Sequence, residues 1–438
     1  MQAVTLEQLE EISGRIALPL VAVLALHAGP AQMGYLSALV WVPSLLFALH
    51  AGAWVDRRGH RRATMIAANL GRAALLASIP VCYVLGVLTL VQLYAVAFAA
   101  GTLSVLFTVS DAVLFVSLVP ADRYVEGNSL VYGSRALSFV GGPSIGGLLV
   151  QALSAPFALA ADALSFLGSA FFLGRIKPVE PPTDTTGRGA LVAGARFIRH
   201  SPIVRASLAS VAVIDFFNYM FIALFVLYAT RSLHVRPGLL GLVLGAGAIG
   251  GVLGTLVTRR IAAWCGVWWA YVIGCVVFPL PFILVPLAGG PRPLILGMLF
   301  AAEFVSGFGV MILDISIGAI FAAVIPDQIR SRVSGAFQAV NYGTRPLGAL
   351  AGGALGTLIG QRPTLWIAAG GGALAFVWLL PSPLPGFRLP PPPPPPLAPP
   401  PPLAPARAPG PPPVPASLEA GPECLGFSAW GWRLPVSS

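Results

Sequence analysis

Six charged residues stand inside stretches that are otherwise apolar: Asp111, Arg135, Asp215, Glu303, Asp314 and Arg345. An ionised side chain at the centre of a bilayer costs about 2.5–3.5 kcal/mol on insertion scales, so such a residue faces a water-filled cavity or a partner. Carboxyl groups in that setting can do proton chemistry. Loss of water makes a carboxyl hold its proton more tightly, and a neighbouring guanidinium makes it let go. A group whose surroundings alternate can therefore take a proton from one side and release it to the other. The acids rank Asp215, Asp111, Glu303, Asp314 as proton carriers, with a structural ion pair as the competing role for each. Asp215 has Asn218 and Tyr219 on its own helical face. Ser334, Gln338, Asn341 and Arg345 follow one another at i, i+4, i+7 and i+11, which is also one face of a helix. Asn128, Tyr132 and Arg135 form a similar stripe earlier in the chain. Arg72 and Asp162 are read as structural.

The elements that hold these residues follow from composition. Of 438 residues, 56% are hydrophobic and 10% charged, against about 25% charged in a soluble domain. Mean hydropathy is +0.83. Such a chain needs lipid as its solvent. A helix crosses the bilayer with about 20 apolar residues, and the sequence offers twelve such segments: 12–26, 34–54, 63–85, 90–115, 128–149, 156–173, 203–228, 239–257, 263–287, 294–322, 333–359 and 364–380. The net charge of +10 comes from short basic runs between these spans, which argues against a nucleic-acid partner. Arginines and lysines concentrate in the loops after spans 2, 6, 8 and 10, so these loops face the cytoplasm and both termini lie inside. The expected location is a bacterial plasma (inner) membrane. The four cysteines are far apart and form no metal or disulfide pattern.

The residues Gly245, Gly247 and Gly250 read G-x-G-x-x-G, the dinucleotide fingerprint. That fingerprint must follow a strand, open a helix and be trailed by an acid about 20 residues on. Here it sits inside one apolar span and no acid follows before Glu303. Gly241, Gly245 and Gly250 are instead small residues that let membrane helices approach closely. No cofactor is expected, and a proton gradient is the expected energy source.

The chain repeats itself. At a constant offset of 206 (326 less 120), Pro120 matches Pro326, Gly142 matches Gly348, and Gly146 and Gly147 match Gly352 and Gly353. Duplicated six-helix halves are a common plan for secondary transporters, with the substrate site between the repeats. The expected organisation is a six-helix half over 1–176, a cytoplasmic linker with an amphipathic helix over 177–202, a second half over 203–382, and a Pro-rich cytoplasmic tail over 383–438. Runs of proline in that tail allow only extended or polyproline II chain.

The stretch GAWVDRRGHRR carries a more specific signal. Gly52, Asp56, Arg57, Gly59 and Arg61 match the G-x-x-x-D-R-x-G-x-R signature of the major facilitator superfamily. Gly142, Pro143, Gly146 and Gly147 match the end of that family's antiporter motif, although its upstream glycines are out of register. Over residues 12–380 the chain resembles the branch with enterobactin-type siderophore exporters and macrolide efflux proteins. The resemblance implies an all-α fold of twelve membrane helices in two pseudo-symmetric halves, with spans 1, 4, 7 and 10 lining a central path. It also implies that Asp56 latches the halves together near Ser331–Ser334 at the start of span 11, with Arg57 and Arg61 pairing nearby. The first span is short, with TLEQLEE where the family has more apolar helix. This departure implies a late start or a truncated first helix.

The resulting expectation is a monomeric secondary transporter that exports a small amphipathic compound by proton antiport. No paired catalytic motif supports an intramembrane enzyme. Uptake by symport, or a non-transporting paralogue, are the alternatives. Arg135 and Arg345 would suit an anionic substrate, and the acids and aromatics a cationic one.

Overall fold

The computed structural model describes residues 16–58, 60–118, 138, 141–175 and 190–381. Gly59, Arg135 and the Pro-rich segment lie outside the described residues, as do the side chains of Asp56, Arg57 and Ser331. Every regular element among the described residues is helical. In chain order these are α1 (16–24), α2 (Pro30–Arg58), α3 (Arg61–Val84), α4 (Leu90–Leu118), α5 (141–153), α6 (Ala155–Arg175), α7 (Ala190–His200), α8 (Pro202–Arg231), α9 (Pro237–Cys265), α10 (Val267–Val277), α11 (Leu284–Leu287), α12 (Arg292–Val324), α13 (Asp327–Leu358) and α14 (Gln361–Ala373). Among the described residues, seven stretches are long and apolar enough to cross a membrane: α3, Leu90–Asp111 of α4, α6, α8, α9, Val267–Leu287 and α12. The described parts of the other expected spans fall on α1, α2, α5, α13 and α14.

Local chemistry explains several boundaries. Ser201 caps α8, accepting a hydrogen bond from the Val204 amide, and Pro202 takes the first helical position, where its missing N–H costs nothing. Gly266 is the whole connection between α9 and α10; its φ of 88° is open to glycine and strained for other residues. The expected segment 263–287 is therefore not one helix starting at 263. It begins at Val267, and Pro279, Pro281 and Pro286 break its second half into a 3-10 turn at Leu280–Ile283 and the single turn of α11.

The helices pack with α3 against α4 and α6, α2 against α4, α9 against α12, and α13 against α2 and α8. The amphipathic α7 docks on the start of α13. Gly194 meets the Arg332 carbonyl so closely that a Cβ there would collide with it, and Ile198 is buried with Val333 and Ala336. Arg196 and Arg199 stay exposed.

The G-x-G-x-x-G stretch packs helix on helix. A Cβ on Gly250 would run into the Phe304 carbonyl of α12, one on Gly254 would lie 3.1 Å from Met311 Cβ, and one on Gly307 would run into the Gly247 carbonyl. Backbone meets backbone along this line, so no side chain can be added by rotating a neighbour away. Gly250→Val is expected to destabilise the fold by about 3 kcal/mol, the upper end for overpacked sites. Thermal unfolding in detergent would test this; a variant that melts with the wild type would show that the close approach is dispensable.

Candidate functional site

A polar cluster lies where α2 of the first half meets α8 and α13 of the second. Three small buried residues, Ala38 on α2, Ala223 on α8 and Ala349 on α13, form a cluster at this junction. Gly348 and Gly352 bring α13 against the α8 backbone: a Cβ on Gly352 would lie 2.7 Å from the Met220 carbonyl, and one on Gly348 would strike the Phe216 carbonyl. This close approach positions two charged residues 130 positions apart in the chain.

Arg345 on α13 donates from Nε to Oδ2 of Asp215 on α8, at 3.3 Å. The two side chains are 21% and 15% exposed, so the pair is only partly enclosed by protein. Aromatic rings surround the guanidinium. Its Cζ lies 4.4 Å from the Trp41 ring centre, 4.8 Å from Tyr342 and 5.1 Å from Tyr219. Trp41 meets Tyr219 edge-on at 5.3 Å, and Tyr342 lies tilted at 6.0 Å from Trp41. Each ring face carries negative quadrupole density and attracts a cation by about 0.5–2 kcal/mol. One ring comes from each of the three helices. Pro346 follows Arg345 directly and cannot donate to the Tyr342 carbonyl, so the helical ladder of α13 is interrupted at the cage.

Two further residues named from the sequence lie near this cluster. Asp314 on α12 is exposed and within electrostatic reach of both Asp215 and Arg345. Asn341, one turn before Arg345, is buried with its Oδ1 lacking a hydrogen-bond partner among the described residues. Asn218 is half-buried beside Asp215, and Gln338 is exposed. Glu303 is placed elsewhere, in the α9–α12 interface, where a Cβ on Gly247 would lie 3.4 Å from its Oε2. Asp111 is half-buried on α4. Sequence reasoning named Asp215 and Arg345 separately and missed their pairing. It also missed Trp41 and Tyr342 as cage walls. Tyr342 stands at i−3 from Arg345, a usable signal; Trp41 carries none, since it is one aromatic residue in an apolar span.

The glycine residues of the antiporter-like motif mark a second junction. A Cβ on Gly147 of α5 would lie 2.7 Å from Gly241 Cα and 2.7 Å from the Pro237 carbonyl of α9. Its repeat-equivalent, Gly353 of α13, would come 2.8 Å from Gly34 Cα of α2. Gly142, Pro143 and Gly146 are buried on the same short helix. The two glycine pairs are thus two copies of one contact, and both lie toward the odd-numbered loops. In the loop motif, Gly52 lies within α2, and Arg61 is buried at the start of α3.

A separate polar cluster ties α3, α4 and α6 together. Asn69 donates to Ser169 at 2.9 Å, Arg72 donates to Ser104 and Asn69, and the Arg72 guanidinium lies 4.8 and 4.5 Å from the Phe107 and Phe166 ring centres. Open clefts of about 620 and 660 Å³ lie at Trp54–Leu106 and at Tyr228–Pro363; neither includes the Asp215 cluster.

The family model described as Major Facilitator Superfamily matches the chain twice, over residues 12–221 and 208–430. The multidrug efflux pump Tap of Mycolicibacterium fortuitum is 27% identical over 344 residues, which cover 74% of this chain and 80% of that pump. Among solved structures, the nucleoside transporter NupG matches with a TM-score of 0.68 at 14% identity, over 88% of this chain and 98% of its own. A bacterial homologue of the iron transporter ferroportin, in an inward-facing state, matches with a TM-score of 0.68 at 17% identity, over 86% of this chain and 97% of its own. At these identities the structural likeness is one of fold.

Proposed function

The chain belongs to the major facilitator superfamily, and from that premise we propose that it exports a small amphipathic compound in exchange for protons across a bacterial inner membrane. It is a multi-pass membrane transporter with the twelve-helix fold of that family, not an enzyme. The observation that carries the proposal is the partly exposed Asp215–Arg345 ion pair at the meeting of α2, α8 and α13. A proton on Asp215 cancels its charge and with it the hold on Arg345. The cluster thereby has two electrostatic states, and one of them requires a proton. The multidrug efflux relative supports export as the direction.

The glycine contacts supply the conformational half of the cycle. They hold α2 to α13 and α5 to α9 near the odd-numbered loops, the face that the arginine distribution of the sequence assigns to the outside. Opening that face separates Gly34 from Gly353 and Gly147 from Gly241, while the α2–α3 junction, with Gly52, Asp56, Arg57, Gly59 and Arg61, closes the opposite face. Alternating access then moves the Asp215 cluster between the two aqueous sides.

Inside-out vesicles test this. With an acidic lumen, a fluorescent drug is expected to accumulate inside, to leak out when a protonophore collapses the gradient, and to release protons from the lumen as it enters. Drug and proton moving in the same direction would overturn antiport in favour of symport. A drug panel that moves under no imposed gradient would overturn transport of this class.

A further inference from the structure

We propose that the Trp41, Tyr219 and Tyr342 cage is the receptor for the positive group of a lipophilic organic cation, and that Arg345 occupies it as a tethered competitor until substrate displaces it. This rests on the export reading and adds the substrate class. The argument starts from what surrounds the guanidinium. Three ring centres lie within 5.1 Å of Cζ, and a carboxylate accepts from Nε. Aromatic faces next to a carboxylate describe a cation receptor, and here its occupant is a side chain.

The same surroundings disfavour an anion. The positive charge of Arg345 is already matched by Asp215, and Asp314 adds a second acid within electrostatic reach. An anion would face ring faces of its own sign and a guanidinium with its Nε already engaged. A cation meets the Asp215 carboxylate and three ring faces once Arg345 has moved, with Asp314 within electrostatic reach. Movement is open to Arg345 because its side chain is partly exposed and carries several rotatable bonds, whereas the cage walls stand on three packed helices. Flat ring walls favour a broad, weakly hydrated cation, such as a quaternary ammonium or phosphonium, over a small hydrated metal ion. Displacement also frees Asp215 from Arg345, so substrate entry and the acid's exchange of partners become one event.

The test is tetraphenylphosphonium binding to the full chain in nanodiscs, by equilibrium dialysis. Arg345→Ala is expected to bind about tenfold tighter than wild type, since the competitor is gone. Arg345→Lys, which restores a tethered cation, is expected to return the affinity toward the wild-type value. Trp41→Ala is expected to weaken binding by about tenfold in both the wild-type and Arg345→Ala backgrounds. Binding of an anionic probe, anilinonaphthalene sulfonate, is expected to gain nothing from Arg345→Ala. Unchanged or weaker phosphonium binding in Arg345→Ala would overturn the competitor role, and indifference to Trp41→Ala would overturn the cage. If Arg345→Ala does not purify as a monodisperse protein, the Trp41→Ala comparison in the wild-type background decides alone. Cage effects present without gradient-driven movement in vesicles would remove export and leave the receptor. Export present without cage effects would remove the receptor and leave export.

Discussion

Asp215→Asn is expected to lower gradient-driven transport at least about tenfold while the protein still inserts in the membrane. Asparagine keeps the shape of the side chain and can still accept from Arg345 Nε, so the local packing survives. It cannot take up or release a proton, so the cluster is left with a single charge state. The change also leaves Arg345 with no counter-charge from α8. Breaking a fully buried pair costs about 3–5 kcal/mol. At side-chain exposures of 21% and 15% the pair is not fully buried, which lowers this cost. The three ring faces offset more, so about 2 kcal/mol is the expected loss. Thermal unfolding in detergent reads that loss, and the vesicle assay reads transport. The double variant Asp215→Asn with Arg345→Ala is expected to regain stability without regaining transport, because it removes the orphaned charge but not the need for a proton site. Wild-type transport by Asp215→Asn would eliminate this acid as the proton carrier and turn attention to Asp314, Glu303 and Asp111.

A second large effect is expected from Gly353→Val. Gly34 and Gly353 meet through their backbones: a Cβ on Gly34 would lie 2.7 Å from Gly353 Cα and 2.8 Å from the Ala349 carbonyl, and one on Gly353 would lie 3.1 Å from the Pro30 carbonyl. Valine brings three heavy atoms into a gap that does not hold one. The partners are main chain, so α2 and α13 must separate. Overpacking of this kind costs about 1–3 kcal/mol in a state that requires the contact. It costs nothing in a state where the odd-loop face is open. The substitution should therefore shift the population toward that open state and slow the cycle, with transport down about tenfold for each 1.4 kcal/mol of bias. Spin labels at Gln32 and Thr357, near the ends of α2 and α13, would move apart. Unchanged label distances together with normal transport would show that this glycine contact does not gate the odd-loop face.

Some of this protein could be read without its structure. The run lengths of apolar residues are local quantities, so the span positions at α3, α6, α8, α9 and α12 follow from composition alone. The G-x-G-x-x-G stretch was legible as a packing line because its setting, an unbroken apolar helix, is also local. The breaks after α10 were not read from the sequence, in which 263–287 counts as one span, although the three prolines that cause them are visible in it. Helix periodicity placed Asn341 and Arg345 on one face, and Asp215 beside Tyr219.

What periodicity could not give was the partner of any face. Spacing fixes which residues share one side of a helix, but not which other helix that side meets. That choice depends on where two backbones can approach, and here Gly348, Gly352 and Ala349 on α13 decide it by leaving room for α8. Only then do Asp215 and Arg345 come within 3.3 Å. The same applies to Trp41, whose ring reaches the guanidinium because α2 crosses the other two helices at Ala38. Glu303 shows the reverse case. Sequence grouped it with the other acids by its apolar setting, and tertiary packing put it against the glycines of α9. The amino-acid order by itself determined that this chain lives in lipid, where its helices run, and which residues carry charge there. Tertiary structure alone decided which charges meet and which rings enclose them, because close contact between helices is a property of two surfaces, and a linear pattern describes only one at a time.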